Sequence, residues 1–494
     1  DLFESGPADP KKPPFELKSR IFINDSKVSI INQNSEGDAG KWLQATHLNL
    51  IVPELRVKGS DVFAQINNLR FVTERWGKKH NVDTFSGDLS LTKHYLSLKD
   101  LTLNTDHSLL QGDIKFNLYK ESWSDFADRV AWDLKLKQGS QVSGYDISYF
   151  VTDWDNYKPV NISGEMTGPL NKFYLGNFLI RNPDVNIQTG TMKISNILEG
   201  DFQIETNGLS TDFTYKGLKQ MLPTFIASKM KNYADDFGRM KFNGGIRVNP
   251  KQIFIPNARL ITGVGQAKIS QFYLDDYSGH MPRYRGYAEV NDLNAGAIAK
   301  SKEVGLITGK FNLQGQSFDI NTMRLRTTSQ IAKMEVVGKV IHNLYLDGLL
   351  DHKKYAGTIS VNDEQAKANV KGLIDFSTKR IAADIVADVK QLNLNYFTGT
   401  QGNQQVSGVV DGKISMTNIN DLMLDASLNN VLFVNGVQNY KIPNAKVKAF
   451  FDNGERVVSV DAPSAVNGKI SGKFNLGDLA GMVQNGLNKI LVGP

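Results

Sequence analysis

Residues 130–136 read Val130-Ala131-Trp132-Asp133-Leu134-Lys135-Leu136, and this stretch decides the fold class. Apolar and polar residues alternate along it with a period of two, which points successive side chains to opposite faces of a β-sheet. A strand with one apolar and one polar face is typical of antiparallel sheets, whereas strands of parallel sheets are usually buried on both faces. The stretch therefore predicts a half-buried antiparallel strand.

The same alternation recurs over most of the chain, for example at Leu48–Val52, Ile114–Leu118 and Ile381–Val389. Asn-Gly and Asp-Gly pairs supply the positive φ angles of short hairpin turns, and they predict such turns between the runs. These pairs are Asn207-Gly208, Asn243-Gly244, Asp411-Gly412, Asn435-Gly436 and Asn467-Gly468. A strand and its turn take about 12 residues in all-β chains, which predicts roughly 35–40 strands.

The composition argues against several classes of function. The chain has 494 residues and a net charge of +6, with basic residues spread among acidic ones, so no nucleic-acid partner is expected. Cysteine is absent, which excludes disulfides, cysteine-ligated zinc and thiol catalysis. No run approaches the ~18 consecutive apolar residues of a membrane-spanning helix.

Apolar residues at three- and four-residue spacings predict helices at Lys216–Phe237, which Pro223 interrupts, and at Leu479–Leu491. Asn294–Lys302, which is rich in Ala and Lys, is a third candidate. The first of these favours packing on a sheet over lying on a membrane. The predicted organisation is a Pro-rich linker (1–15), a β-segment (16–215), an amphipathic helical insert (216–240), a second β-segment (241–478) and a C-terminal amphipathic helix (479–494).

Motifs that carry chemistry are missing from the sequence. None of the seven histidines belongs to a His-Glu-x-x-His motif, and no Gly-x-Ser-x-Gly is present. Gly408–Ile414 looks like a phosphate-binding loop, but it is one residue short and lacks Ser or Thr after Lys413, so it is interpreted as a hairpin turn. Asp153–Asn156 is interpreted as a solvated turn. We expect no enzyme activity, no metal and no cofactor.

The apolar face of such a sheet must be covered, and the alternation leaves open how. A sandwich or a closed barrel is the common solution and is favoured by periodicity alone. The alternative is a long curled sheet whose apolar face is covered by a ligand. Burial of the ~30 methylenes of a diacyl lipid, at ~0.8 kcal/mol each, is worth roughly 24 kcal/mol, so lipid is a suitable occupant.

Resemblance to a known family changes this balance. Leu98–Asp113 resembles the strand pair "L-x-L-x-T-x-x-S-x-L-x-G" of TamB-type translocation and assembly module proteins, which belong to the AsmA-like, bridge-like lipid transfer superfamily. Ile162–Leu170, Leu218–Gly238 and Gly305–Gly315 are further similar segments. The similarity covers nearly the whole chain after Phe15.

The resemblance implies a mainly β protein whose long antiparallel sheet curls into an elongated open groove, with a few short helices. It implies a periplasmic protein, anchored in the inner membrane through an N-terminal segment missing here, that moves phospholipids towards the outer membrane. It further implies a partner similar to outer-membrane insertases. The family's C-terminal partner-binding region is not recognisable in this chain.

The leading hypothesis is therefore a non-enzymatic phospholipid conduit between the two membranes of a diderm envelope. The alternatives are a factor that assembles outer-membrane β-barrel proteins by offering a sheet edge as template, and a structural array of β-sandwich domains. The residues expected to line the lipid groove are Leu89, Leu91, Leu101, Leu103, Ile114, Phe116, Val130, Trp132, Leu134, Leu136, Ile385, Val389, Leu392 and Leu394.

Overall fold

The computed structural model describes residues 15–31, 41–118, 128–149, 158–196, 200–221, 227, 237–399, 402–463 and 466–476. The chain is mainly β, and every described strand pair is antiparallel, which confirms the predicted class. Its contacts divide it into unit 1, residues 1–263, and unit 2, residues 264–494.

Unit 1 holds fourteen of the described strands. They are β1 (Glu16–Ile31), β2 (Lys41–Lys58), β3 (Asp61–Arg75), β4 (Lys78–Leu91), β5 (Tyr95–Thr105), β6 (Leu109–Asn117), β7 (Ala131–Leu136), β8 (Gln141–Val142), β9 (Val160–Gly168), β10 (Lys172–Arg181), β11 (Val185–Ser195), β12 (Gln203–Thr214), β13 (Arg239–Val248) and β14 (Gln252–Thr262). Each pairs with the next along the chain, except that the short β7 and β8 both lie between β6 and β9.

Unit 2 continues with the same plain order of neighbours. Its strands are β15 (Gly265–Asp275), β16 (Arg283–Asn294), β17 (Val304–Gln316), β18 (Arg324–Val336), β19 (Lys339–Asp351), β20 (Lys354–Asn362), β21 (Ala366–Asp375), β22 (Ile381–Asn393), β23 (Gln404–Met416), β24 (Met423–Asn435), β25 (Gln438–Asp452), β26 (Glu455–Ala462) and β27 (Val466–Gly472). From β15 to β27, each strand pairs with the one that follows it.

In the part of the chain that the structure describes, four short helices interrupt the strands. They are α1 (Gly144–Ile147) and α2 (Tyr215–Met221) in unit 1, and α3 (Ala295–Ala299) and α4 (Leu394–Thr398) in unit 2, with a 3₁₀ turn at Ile419–Asp421. Within each unit, the described strands pack against their hydrogen-bonded neighbours, and α2, α3 and α4 lie against β12, β17 and β23 respectively.

Bulges in the middle of the strands keep apolar residues on one face despite breaks in the alternation. Asp100 in β5 has a φ of 48°, and it lies where the pairing of β5 with β6 shifts between Leu98 and Leu101. In β22, a similar shift between Val389 and Leu392 keeps both residues on the same face although they are three positions apart. Each bulge bends its strand and increases the local twist.

The turn predictions were mostly wrong. Asn435-Gly436 does form a turn between β24 and β25. The other four pairs and the Gly408–Ile414 segment lie inside β12, β13, β23 and β27. At Gly244, for example, a Cβ atom would lie 2.3 Å from the Asn257 carbonyl oxygen. Such a glycine permits close approach of the neighbouring strand, which sequence alone does not distinguish from a turn.

The described residues form 27 strands, fewer than the roughly 35–40 predicted, because strands of 13 residues or more are frequent. The predicted helix at Asn294–Lys302 is confirmed as α3, and α2 confirms the start of the Lys216–Phe237 helix. The rest of that helix, except 227 and 237, lies outside the described residues. So do the linker up to Pro14, Asp153–Asn156 and the C-terminal helix 479–494.

Gly372 in β21 gives a test of the close strand approach. Its φ is +154°, and a Cβ there would lie 2.1 Å from the Asp384 carbonyl oxygen. Gly372→Ala is therefore expected to destabilise unit 2 by about 1–3 kcal/mol. Gly468→Ala is the matched control, since no atom lies within 4 Å of its added methyl, and it is expected to stay within about 0.5 kcal/mol. Hydrogen exchange of β20–β23 measures the Gly372 variant and that of β26 and β27 measures the Gly468 variant, and equal losses would contradict the account.

Candidate functional site

In unit 1, strand register gathers the predicted lining residues on one face. One cross-strand row runs through β4, β5, β6, β7 and β9 as Leu89, Leu98, Ile114, Leu134 and Met166. The next row contains Leu91, Leu96, Phe116 and Trp132. The rings of Phe116 and Trp132 meet edge to face, with centroids 4.7 Å apart.

The other predicted residues of unit 1 join the same face. Leu101 pairs with Gly112, which pairs with Leu136, and Leu103 pairs with Leu110. Val130 precedes β7 and is fully buried. We name these rows together the unit 1 apolar face.

Unit 2 carries an apolar face of its own, most of which the sequence analysis missed. One row crosses β19 to β25 as Leu346, Ile359, Val370, Ala387, Val410, Leu428 and Ala445. Ile385 lies on this face between Gly372 and Gly412, and Val389 and Leu392 lie further along β22. Leu394 was wrongly placed in a strand, because Asn393 caps a helix that begins at Leu394.

The side chains of the two apolar faces are only partly buried within the protein. In a closed core, large side chains such as Leu and Phe would fill the fully buried positions. Among the described residues, the largest side chains below 2% exposure are instead Arg456, Val130, Val185, Thr189, Ser140, Ser143, Ser148 and Ser329. Leu346, Val370 and Val410 are only half-buried. The described strands therefore leave part of the apolar surface accessible.

The opposite face of unit 2 is polar. Asp384 pairs with Lys413 at 3.6 Å and Asp425 with Lys448 at 3.1 Å, from directly opposed positions on β22 to β25. All four side chains are half or more exposed, so each pair contributes little stability. These ion pairs lie on the face opposite the apolar row, where the exposed Leu373 and Val386 also lie.

A buried polar cluster closes one end of the unit 1 apolar face. Helix α1 begins at its N-cap Ser143 and places Asp146 over the ends of β4, β5 and β6. Asp146 accepts hydrogen bonds from the hydroxyls of Thr105, at 2.7 Å, and Ser108. The Nδ1 atom of His80 lies 3.5 Å from the same carboxylate.

This cluster does not have the arrangement of a nucleophilic relay. His80 is 5% exposed, and burial lowers its pKa against the opposing effect of Asp146. Asp146 bridges His80 and Ser108, so the imidazole is not placed to take the Ser108 proton. The geometry therefore supports a structural closure of the apolar face.

Helix α4 makes a comparable contact in unit 2. The Tyr396 hydroxyl donates to the Val340 carbonyl at 2.8 Å and accepts from the Val340 amide at 3.1 Å. This ties the segment after β22 to the start of β19. Helices of four or five residues show little helical periodicity, and α1 and α4, unlike the Ala-rich α3, were not predicted from the sequence.

Comparison with protein-family models, with curated proteins and with solved structures finds no match to this chain. None of the helices in the described ranges is long and apolar enough to cross a membrane. The described residues likewise contain no group of three or more His, Asp or Glu side chains that would hold a metal ion.

Tyr284, on the apolar face of unit 2, makes the stability of the fold depend on pH. Its ring stacks on Phe318 with centroids 4.8 Å apart, and burial raises the pKa of its hydroxyl to about 12. An unfolded chain releases this proton near pH 10, whereas the folded chain holds it. Stability is therefore lost as the pH rises from 10 to 12, by up to about 3 kcal/mol. Urea unfolding at pH 9 and 11.5 should show this extra loss, and Tyr284→Phe should remove it; identical pH profiles would contradict it.

Proposed function

We propose that this chain is a non-enzymatic carrier of phospholipids, whose acyl chains lie on the apolar sheet faces of the two units. The observation that supports this best is the row from Leu346 to Ala445, which is apolar across seven neighbouring strands. Three of its members, Leu346, Val370 and Val410, are only half-buried, so part of the row is accessible. An acyl chain is an occupant that needs no specific partner groups.

The energetics suit transfer between membranes. The main barrier to moving a lipid through water is exposure of its methylenes, at ~0.8 kcal/mol each. A half-buried row of apolar side chains replaces that exposure with contacts to leucine, isoleucine and valine. Successive rows present the same kinds of apolar side chain. An acyl chain on one row therefore has nearly the same free energy as on the next row. Such a surface permits movement along the sheet without a catalytic group.

We extend the proposal to the cellular setting that the resemblance implies. The sheet would curl into an open groove, and the chain would work in the periplasm between the inner and outer membranes of a diderm envelope. A membrane anchor on the inner side and an outer-membrane insertase-like protein would be its partners. Fractionation of cells expressing the full-length protein tests the location.

Native mass spectrometry of the gently purified chain tests the lipid role. The expected result is a series of masses shifted by intact phospholipids, lost on stripping with mild detergent. The proposal would be contradicted if the chain carried no lipid under any gentle condition and also failed to bind added phospholipid. Mixtures of headgroups in the same experiment report which lipids are held.

A second candidate function rests on the edge strand β1. Its 16 residues pair with β2, and no described strand occupies its other edge. Phe22, Ile30 and Ile31 are 69%, 48% and 56% exposed. A long apolar edge with free backbone groups is suited to adding a further strand, as a template for outer-membrane β-barrel proteins requires.

The two candidates predict different crosslinks. A photoreactive residue at position 22 would capture extended client segments if β1 acts as a template. Capture of lipid on the sheet faces, with no client on β1, would favour the carrier and count against the template.

A further inference from the structure

On the polar face of unit 2, we propose a binding site for molecules that carry two phosphate groups or a pyrophosphate, built from arginines of β16 and β18. An open depression of about 630 Å³ lies on this face. The donors that line it are Arg283, Arg285, Arg324, Arg326, Gln314 and Gln316.

Strand register arranges these donors as a grid. Gln316 of β17 lies between Arg283 and Arg324, and Gln314 lies between Arg285 and Arg326. Two strand spacings separate the arginines of β16 from those of β18, which is about 9.6 Å, while neighbours along a strand are about 6.7 Å apart. Strand β17 contributes the side-chain amides of Gln314 and Gln316 here. No acidic side chain therefore lies between the arginines of β16 and those of β18.

Neighbouring side chains position the arginines, but the ion pairs that they form are weak. Arg326 lies 3.4 Å from Asp347, and Arg324 lies 3.8 Å from Asp351, with both guanidinium-bearing side chains more than half exposed. Exposed pairs of this kind are weak. The Arg285 guanidinium lies 4.1 Å from the centroid of the Tyr273 ring, which orients it. Arg283 lies directly opposite Asp275 of β15, an acidic residue that also lines the depression at its β15 side.

The chemistry of guanidinium selects the ligand. Its planar donors match the oxygens of phosphate in pairs, and it binds them better than an ammonium group does at such sites. Two arginine pairs on either side of amide donors suit two linked phosphoryl groups better than one. Asp347 and Asp351 lie outside the central grid toward β19, and Asp275 lies outside it toward β15, so an anion can approach the amides in its middle.

Titration calorimetry with pyrophosphate, at low salt and without magnesium, tests the site on the whole chain. Arg283→Gln with Arg324→Gln should weaken binding about tenfold or more, because charge-assisted hydrogen bonds are lost. Arg283→Lys with Arg324→Lys keeps the charge and should still weaken binding about threefold. Lys371→Gln with Lys446→Gln removes the same charge elsewhere on the polar face and should change affinity less than about twofold.

Three results would overturn the site: no binding of pyrophosphate, equal weakening in the control pair, or affinity in the lysine pair equal to that of the unmodified chain. Flotation with phosphatidic acid vesicles identifies the source of the phosphate. Flotation lost with Arg283→Gln and Arg324→Gln assigns it to a lipid headgroup. Pyrophosphate binding without flotation assigns it to a soluble molecule, and both outcomes support the site. Because the site lies on the polar face, these experiments test it independently of the proposal that the apolar faces carry lipid.

Discussion

Val370→Glu is expected to lower phospholipid retention about tenfold or more while unit 2 remains folded. Val370 lies in the middle of the apolar row, between Ile359 and Ala387, and is half-buried. A carboxylate there disfavours contact with an acyl chain by more than the 1.4 kcal/mol that a tenfold change requires. Water still reaches it when the lipid is absent, which limits the cost to folding. Quantitative lipid extraction from the purified variants measures the effect.

The control for this prediction is the next residue of the same strand. Asn369 is exposed and lies on the polar face of β21. Asn369→Glu adds the same charge and should keep lipid retention within about twofold, since exposed substitutions have small effects. Gross unfolding of the Val370 variant would point to a closed core. Equal lipid loss in both variants would remove the apolar face from the account.

Asp146→Ala is expected to lower the free energy of unfolding of unit 1 by about 3 kcal/mol. The substitution removes the shared acceptor of Thr105 and Ser108 and the carboxylate beside His80, in a cluster that is largely buried. Buried donors left without partners cost about 1–3 kcal/mol each. All five tryptophans precede residue 155, so their fluorescence during urea unfolding reports on unit 1.

Two further variants sharpen this measurement. Asp146→Asn keeps one acceptor oxygen and should lose about 1 kcal/mol. Asp133 is exposed on the polar face of β7, and Asp133→Ala should lose no more than about 0.5 kcal/mol. An Asp146→Ala variant as stable as Asp133→Ala would show that α1 does not close the sheet end.

Alternation in the sequence predicts which residues share a face wherever a strand is regular. Trp132, Leu134 and Leu136 were assigned to one face from their spacing, and the register of β7 agrees. Leu392 shares the face of Val389 only because of a bulge, and Leu394 lies in an Asn-capped helix, and spacing alone predicts neither feature. Bulges depend on the neighbouring strand, which a single run of sequence does not contain.

The arginine grid shows a second limit. Arg283 and Arg285, and likewise Arg324 and Arg326, are separated by one residue and must share a face within their strand. That the two pairs lie opposite each other depends on the register of β17 with both neighbours. The dipeptide Asp411-Gly412 is a similar case, since only the pairing of β23 shows that it is not a turn.

Photo-crosslinking along β21 tests most directly whether the apolar face holds lipid. A photoreactive amino acid is placed in turn at each position from 367 to 371 in cells, and crosslinked phospholipid is measured by mass spectrometry. The account predicts lipid at 368 and 370, on the apolar face, and little at 367, 369 and 371. Equal labelling at neighbouring positions, or none at 370, would contradict it.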